Sequence, residues 1–500
     1  MEIRFDDTCA SIYEPFLQQT RRTQVAIESV VPDVNDDIGR IVSVQPTLLM
    51  KSKEAFKDRI MVTGEIQAAL LYITEEEQDV SSIKLTRSFS LEYEDSGIDS
   101  ETLFQVRLSV LNTEARILNP RKVSVTIELC SELCAYRHGE IIQEMRLPED
   151  RPEGLHVKKE TAAAYCTELI TVKTFALNEQ YAFPDDAQRP AQLVSQQIAF
   201  NRQEPQQVGS RLILKGTVET ELLYLAEGCS CPLRASSSSP FSQIFDLGEC
   251  RCDYADAVFT PTSLYCELID TISGEKALNL ELHAVTQLTV YGLRQLQYIS
   301  DLYSNRNPTQ CQTAAWTLLR AIRSVPESIS ASEAIPIAED CSAILGVYSQ
   351  AGQPMQEAER LSVPLTLDIL YAAKDGSLSC LRRSLMLTKS VTRRSVCVRG
   401  VRVRELDLRQ DGGQALCSAR VELTTESRET ETIDAVTKIE LDMEAAFDVN
   451  AFPTLTIVRA KEETLWELAK RYHSGVEEIE KMNVLDGGLA GKLILIPKQL

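Results

Sequence analysis

The chain has 500 residues, enough for three or four folded units at roughly 150 residues each, and its composition of 44% hydrophobic and 25% charged residues is that of a globular protein. A formal net charge of −21 argues against general affinity for nucleic acid or anionic lipid. Because only four histidines are present to transfer protons or bind metal, we expect neither an enzyme nor a cofactor.

The N-terminal sequence, MEIRFDDTCASIYEPF, carries acids where a secretory signal needs bases, and it lacks an apolar run of signal-peptide length. No stretch approaches the ~20 apolar residues that span a bilayer, so we expect no transmembrane segment. These features predict a cytoplasmic protein. The 14 cysteines have no regular spacing, which favours reduced, buried thiols.

A nine-residue pattern recurs at intervals of a whole domain. Residues 64–72 (GEIQAALLY) recur at 216–224 (GTVETELLY) and, more weakly, at 363–371 (VPLTLDILY). From tyrosine to tyrosine the spacings are 152 and 147 residues. Spacings of this size predict three repeated domains rather than a solenoid.

Apolar and polar residues alternate within each copy, as in a strand with one buried face. Residues 121–129 and 277–282 alternate in the same way. We expect Leu118-Asn119 and Leu278-Asn279 to take comparable places in the first two copies. Short alternating runs between turn residues predict a mainly β protein, with three antiparallel β-sandwich-like repeats in series.

Polar, proline-bearing stretches at 148–154, 301–313 and 449–453 are candidate linkers. They predict domains at residues 1–147, 155–300, 314–448 and 453–500.

Two C-x-C pairs flank a serine-rich stretch of the second repeat: Cys229 with Cys231, and Cys250 with Cys252. On two strands of a hairpin, four such thiolates could surround zinc. Structural zinc sites more often have two residues between the cysteines, and buried cysteine is common in strands. We therefore favour buried thiols and no metal.

The clearest charge asymmetry lies between residues 382 and 404, which contain no acid and eight bases: Arg382, Arg383, Lys389, Arg393, Arg394, Arg399, Arg402 and Arg404. One hypothesis is a patch for an acidic partner, an anionic membrane surface or the acidic repeats of a neighbouring copy. The other is a solvated strand face, because the valines of this run have strand spacing.

From Thr454 the pattern changes to a short β-run, two short helices and an apolar run ending at Pro497. Thr464 with Glu467, and Ser474 with Glu477, have the spacing of capping boxes. The spacing predicts a βααβ module over 453–500.

Residues 463–472 (ETLWELAKRY), 476–479 (VEEI), 481–483 (KMN) and 491–497 (GKLILIP) resemble a LysM domain. LysM domains bind N-acetylglucosamine polymers such as peptidoglycan in a groove between two loops. The resemblance places that groove at Lys461, Glu462, Glu463, Thr464, Val484, Leu485, Asp486 and Gly487. Glu462-Glu463 replaces the usual Gly-Asp, which removes the close backbone approach that glycine permits and leaves protein docking as an alternative. Trp466 is a candidate for sugar stacking or for core packing.

The rest of the chain resembles the SPOCS domain, a domain of unknown function found in spore-coat proteins. The first copy carries the resemblance in residues 31–35 (VPDVN), 64–72 and 118–123 (LNPRKV), whereas the third is inferred mainly from spacing. SPOCS units followed by a LysM domain resemble the SipL family of coat morphogenetic proteins.

The resemblance implies a scaffold of spore coat assembly in the mother cell, located at the forespore surface. Such a protein would tether the coat by binding the coat-basement ATPase (stage IV sporulation protein A), partly through its LysM domain, and would contact other coat proteins. The alternative hypothesis is a peptidoglycan-binding envelope protein that acts through the LysM groove.

Overall fold

Long β-strands account for most of the chain. The computed structural model describes residues 1–76, 79–183, 188–227, 231–271, 276–391, 397–411, 414–448, 453–484 and 489–498. These residues form 23 strands and two short helices, and the strands pair in antiparallel sheets. The mainly β class predicted from the sequence is confirmed.

After a short first strand, β1 (Glu2–Ile3), three successive segments pass through the same order of strands. Unit 1 contains β2 (Thr8–Val30), β3 (Ile38–Phe56), β4 (Arg59–Thr74), β5 (Val80–Glu94), β6 (Leu103–Asn119) and β7 (Lys122–Glu144). Unit 2 contains β8 (Leu155–Ala182), β9 (Pro190–Arg202), β10 (Gln206–Val208), β11 (Arg211–Ala226), β12 (Leu233–Asp246), β13 (Tyr254–Asp270) and β14 (Lys276–Ser304). Unit 3 contains β15 (Thr309–Pro336), β16 (Cys341–Ala351), β17 (Met355–Glu357), β18 (Arg360–Ala373), β19 (Leu378–Ser390), β20 (Cys397–Asp411) and β21 (Gln414–Leu441).

Each unit is a sandwich of a small sheet and a larger one. In unit 1 the small sheet is β3-β4-β5, and in the large sheet the long strand β7 pairs with β2 on one side and β6 on the other. The small sheets of units 2 and 3 centre on β11 and β18, and their long pairs are β8 with β14 and β15 with β21. Apolar side chains from the facing sheets fill each sandwich, for example Ile66 and Leu70 against Val125 and Ile127 in unit 1.

The recurring nine-residue pattern occupies the central strand of each small sheet, namely β4, β11 and β18. Its alternation has the predicted result, because Tyr72, Tyr224 and Tyr371 all point into buried cores. Gly64 of β4 is required sterically, since a Cβ there would lie 2.6 Å from the carbonyl oxygen of Leu49. Phe89 stands directly opposite this glycine in the register, and its ring covers the exposed backbone.

Equivalent residues of the three units meet in one buried cluster. Leu71, Leu223 and Leu370, each preceding the tyrosine of its copy, pack together. Each lies beside a bulge in the neighbouring strand that adds a further apolar side chain to the cluster, namely Val42, Val194 or Leu345. The units therefore associate through the same strand position.

A second shared core lies where the long strands end, and each unit contributes to it. It contains Ile12 of β2, Leu296 of β14 and Ile439 of β21. β1 pairs with β21, and Glu144 of β7 pairs in parallel with Gln297 of β14. The β7–β14 contact joins unit 1 to unit 2, and β1, which precedes unit 1, joins the start of the chain to unit 3.

Two local sequence predictions are wrong. Most of the predicted linker 301–313 belongs to strands, because β14 ends at Ser304 and β15 begins at Thr309. Leu118-Asn119 lies at the end of β6, whereas Leu278-Asn279 lies near the start of β14, so these pairs are not equivalent. Residues 148–154 do lie between strands, and 449–452 are outside the described residues.

Candidate functional site

The terminal module has the predicted order of elements. It consists of β22 (Leu455–Arg459), α1 (Leu465–Arg471), α2 (Val476–Met482) and β23 (Leu493–Pro497), with the two strands antiparallel. Leu468, Ile479 and Ile494 are completely or almost completely buried between the helices and the sheet. A core this small needs support from its surroundings.

One of the two predicted capping boxes is present. Thr464 is the N-cap of α1 and accepts a hydrogen bond from the Glu467 amide, while the Glu467 carboxylate accepts one from the Thr464 amide. The second prediction is wrong, because Gly475 is the N-cap of α2 and makes no side-chain cap. Ser474 instead donates its hydroxyl to the carbonyl of Pro497, linking α2 to β23.

The module docks on the end of β14. Asp301 accepts a 2.7 Å hydrogen bond from the Trp466 indole and pairs with the Lys470 ammonium at 2.7 and 2.9 Å. Tyr303 belongs to the module's core, with its ring edge-on to Trp466 and its hydroxyl bonded to the Ser474 carbonyl at 2.6 Å. Trp466 therefore packs at an internal interface, as the core-packing alternative predicts.

Electrostatics strengthens this docking. Burial by itself raises the pKa of Asp301, but hydrogen bonds from Lys470 and Trp466 outweigh it, so the pKa is lowered from its usual value. Asp301 therefore stays ionised at neutral pH and holds both side chains of α1.

The predicted groove is only partly described. Lys461 and Glu462 are exposed, and Val484 is 87% exposed. Glu463 forms an ion pair with Arg471, and Thr464 is occupied as the N-cap. The other predicted residues, Leu485, Asp486 and Gly487, lie outside the described residues.

Most of the basic run has partners within the chain. Arg382 pairs with Asp368 at 2.6 Å, Arg383 donates to the Pro336 carbonyl, and Lys389 pairs with Glu327. Arg393 and Arg394 lie outside the described residues. The first part of the run therefore supports unit 3 itself, with its charge directed at the unit's own carboxylates and carbonyls.

The second part of the run, on β20, joins unit 3 to unit 2. Arg402 and Arg404 both bind Glu219, which lies on the outer face of β11, and Arg402 also reaches Glu221 at 3.3 Å. The hypothesis of contacts with acidic repeats placed them in a neighbouring copy, whereas these contacts are with an acidic repeat of the same chain. Sequence alternation identified Glu219 and Glu221 as outward-facing but gave no signal for their partners.

A buried ionic cluster lies where the three units meet. Glu426 of β21 is bonded to Arg399, Arg428 and Tyr254 at 2.9, 2.8 and 3.0 Å, and its side chain is only 1% exposed. Burial would raise the pKa of Glu426, but the two guanidinium groups lower it to about 2. Glu132 of unit 1 lies 3.7 Å from Arg399, so all three units contribute to this cluster.

The cysteine pairs are far apart. Cys231 precedes β12 and Cys250 follows it. The 14 residues of β12 are paired along their whole length with β11 and span roughly 45 Å, so the two cysteines lie beyond opposite ends of this strand. Burial raises the pKa of Cys250, and that of Cys252 to about 11, which keeps both thiols protonated. Cys229 is outside the described residues. Within the described ranges no group of three or more His, Cys, Asp or Glu is placed to hold a metal.

None of the described helices is long and apolar enough to cross a membrane.

The fold and these contacts define a mainly β protein of three similar units with a small βααβ module docked at one end. Residues 37–118 match a family model described as SipL, SPOCS domain. The match begins at β3 and ends in β6, so it covers the small sheet of unit 1 and one strand of the large sheet. It supports a sporulation-related, SipL-like protein. Neither the curated proteins nor the solved structures contain a match to this chain.

Proposed function

We propose that this protein is a non-enzymatic scaffold of spore coat assembly that tethers the coat to the forespore surface. The observation that carries the proposal is the SPOCS match in unit 1. The resemblance to the SipL family assigns the binding of the coat-basement ATPase partly to the terminal module. The protein would then act in the mother-cell cytoplasm and would bind other coat proteins through its units.

The docked module supports a scaffold role. Asp301, Trp466 and Lys470 hold α1 against β14, and the exposed groove residues Lys461, Glu462 and Val484 lie on other parts of the module. Holding the module against a large body limits the orientations that it can take. A partner bound both to the module and to a unit gains affinity through effective concentration.

The test is affinity capture of the coat-basement ATPase by purified full-length chain. Glu462→Arg combined with Val484→Asp changes two exposed groove positions, and we expect captured ATPase to fall at least about tenfold, the equivalent of about 1.4 kcal/mol. The matched control is Val208→Asp, a 62% exposed valine of unit 2. Wild-type capture by the groove variant would refute a role for the groove.

Retention on purified peptidoglycan separates this function from its alternative. A scaffold of the cytoplasm should not be retained, and the Glu462→Gly, Glu463→Asp variant restores the usual LysM residues as a positive comparison. Retention of the unmodified chain on peptidoglycan, without capture of the ATPase, would favour the envelope function.

A further inference from the structure

Two groups of exposed apolar side chains lie near the two ends of the described chain's long strands. One is the tip of unit 1, defined here as Val30, Val34 and Leu118, which are 64, 94 and 51% exposed. The other is the module face, defined as Leu455, Ile457 and Leu493 on the two strands of the terminal module, which are 41, 61 and 62% exposed. Apolar clusters of this kind, surrounded by polar residues, mark interaction sites.

The tip is built rigidly, although it faces solvent. Arg121, in the β6–β7 turn, donates to the carbonyls of Asn35 at 2.8 Å and Pro32 at 3.1 Å and pairs with Asp37 at 2.8 Å. The backbone adds two further bonds, between the Val31 amide and the Arg121 carbonyl and between the Ile38 amide and the Pro120 carbonyl. These bonds fix the loop of residues 32–37, so that Val34 is displayed with little entropy left to lose on binding.

The charge around the tip is negative. Val34 lies between Asp33, which pairs with Arg121 at 3.2 Å although its side chain is fully exposed, and the exposed Asp36. Arg121 also pairs with Asp37, and its single positive charge offsets one of the aspartates. The loop 32–37 contains three aspartates and no basic residue of its own. A partner surface should therefore combine an apolar patch with cations.

The module face has this chemistry. Arg459 stands opposite Leu493 in the register, and Ile457 stands opposite Leu495, so these side chains share the outer face of the sheet. Arg459 supplies a cation on this face, and the strand segments 453–461 and 489–498 contain no acid. Lys498 lies with Thr456 and Ile496 on the opposite side of the sheet. In a chain of net charge −21, this apolar and basic face complements the tip.

The two surfaces lie at opposite ends of the body. β7 starts beside the tip at Lys122 and extends 23 residues, roughly 70 Å, to Glu144. Glu144 pairs with Gln297, close to the end of β14 on which the module docks. One copy cannot bring its own tip to its own module face.

We propose that the tip of one copy seats on the module face of a second copy, so that the chain self-associates head to tail. Such a heterologous contact leaves one tip and one face unused at the ends, and it therefore extends into an open assembly. The contact is small, so association belongs to the weak, transient class. Local concentration at a surface would then decide whether assemblies grow.

Sedimentation velocity of the full-length chain from about 1 to 200 μM tests the proposal at the concentrations where weak contacts are populated. We expect wild-type chain to form species larger than dimers as concentration rises. Val34→Asp and Ile457→Asp should each weaken association roughly tenfold or more, because each places a carboxylate in an apolar contact. Val208→Asp, at a valine that is 62% exposed and lies outside both surfaces, should associate like wild type.

Mixing the two weakened variants distinguishes this geometry from others. The Val34→Asp copy keeps an intact module face and the Ile457→Asp copy keeps an intact tip, so their mixture should form dimers and nothing larger. Each variant alone should stay monomeric, whereas a symmetric tip-to-tip contact predicts dimers of the Ile457→Asp copy alone and a face-to-face contact predicts dimers of the Val34→Asp copy alone. Wild-type chain that stays monomeric throughout, or variants that associate like wild type, would overturn the proposal, whereas capture of the ATPase is measured separately and is unaffected by this result.

Discussion

Replacing Glu426 by glutamine should destabilise the junction of the three units strongly, because it keeps the size of the side chain and removes its charge. The variant leaves Arg399 and Arg428 in a buried site without their shared carboxylate. Removing one partner of a buried ion pair costs about 3–5 kcal/mol. The lowering of the pKa of Glu426 from 4.5 to about 2 gives a consistent figure of roughly 3 kcal/mol.

The pH dependence of this effect has a definite sign. A carboxyl whose pKa is lowered by folding contributes its full stability above its unfolded pKa of 4.5 and loses it as the pH falls through about 2. The difference between wild type and Glu426→Gln should therefore be constant near pH 7 and shrink below about pH 4.5.

Urea unfolding at pH 7 and pH 3, followed by circular dichroism, measures the difference directly. Glu405→Gln is the matched control, because Glu405 lies on β20 and pairs with Arg420 at 3.3 Å with its side chain 69% exposed. Such an exposed pair is worth at most about 1 kcal/mol. A Glu426→Gln chain within about 0.5 kcal/mol of wild type at pH 7 would refute the reasoning.

Four further outcomes follow from the structure. Asp301→Ala removes the hydrogen-bond acceptor of Trp466 and Lys470. Proteolysis between Asp448 and Pro453 should then speed up severalfold, and the fluorescence of Trp466 should shift to the red. Unchanged cleavage would contradict the docking contact. Burial lowers the pKa of Lys53 to about 7, so the unfolding free energy of wild type should rise by at most roughly 5 kcal/mol between pH 7 and 10.5. In Lys53→Met this contribution to the rise should be absent. Leu223→Ala should cost about 2–5 kcal/mol in thermal or urea unfolding, against a small change for the exposed Ile244→Ala. Thr464→Ala should cost the terminal module about 1 kcal/mol, seen as faster amide exchange in α1, and no change there would exclude a role for the cap.

Local pattern carried much of the fold. The alternation in residues 64–72, 216–224 and 363–371 predicted half-buried strands, and each became the centre of a small sheet. The capping box at Thr464 was also readable, because its two hydrogen bonds join residues three apart. The predicted box at Ser474 failed because α2 begins one residue later, with Gly475 as its N-cap, and the Ser474 hydroxyl donates to the Pro497 carbonyl.

The basic run shows where sequence reasoning stopped. Its charge was visible, but its partners Glu219 and Glu221 lie about 180 residues away and Glu327 lies on another strand pair. Whether such a run serves a partner protein or its own chain depends on which acids the fold brings near it. For Arg393 and Arg394, which lie outside the described residues, the role as part of a partner patch stays a prediction.

The sequence by itself determined the strand class, the repeat length and the order of elements in the terminal module, because these depend on side-chain period and on contacts between near neighbours. Only the tertiary structure decided that Leu71, Leu223 and Leu370 share one core, that Glu426 is buried among three units, and that Trp466 is bonded to Asp301. Each of those three sites includes at least one contact between residues more than a hundred positions apart. No local pattern specifies which distant strand a side chain will meet. The physical reason is that burial and charge pairing act through space, whereas periodicity acts along the chain.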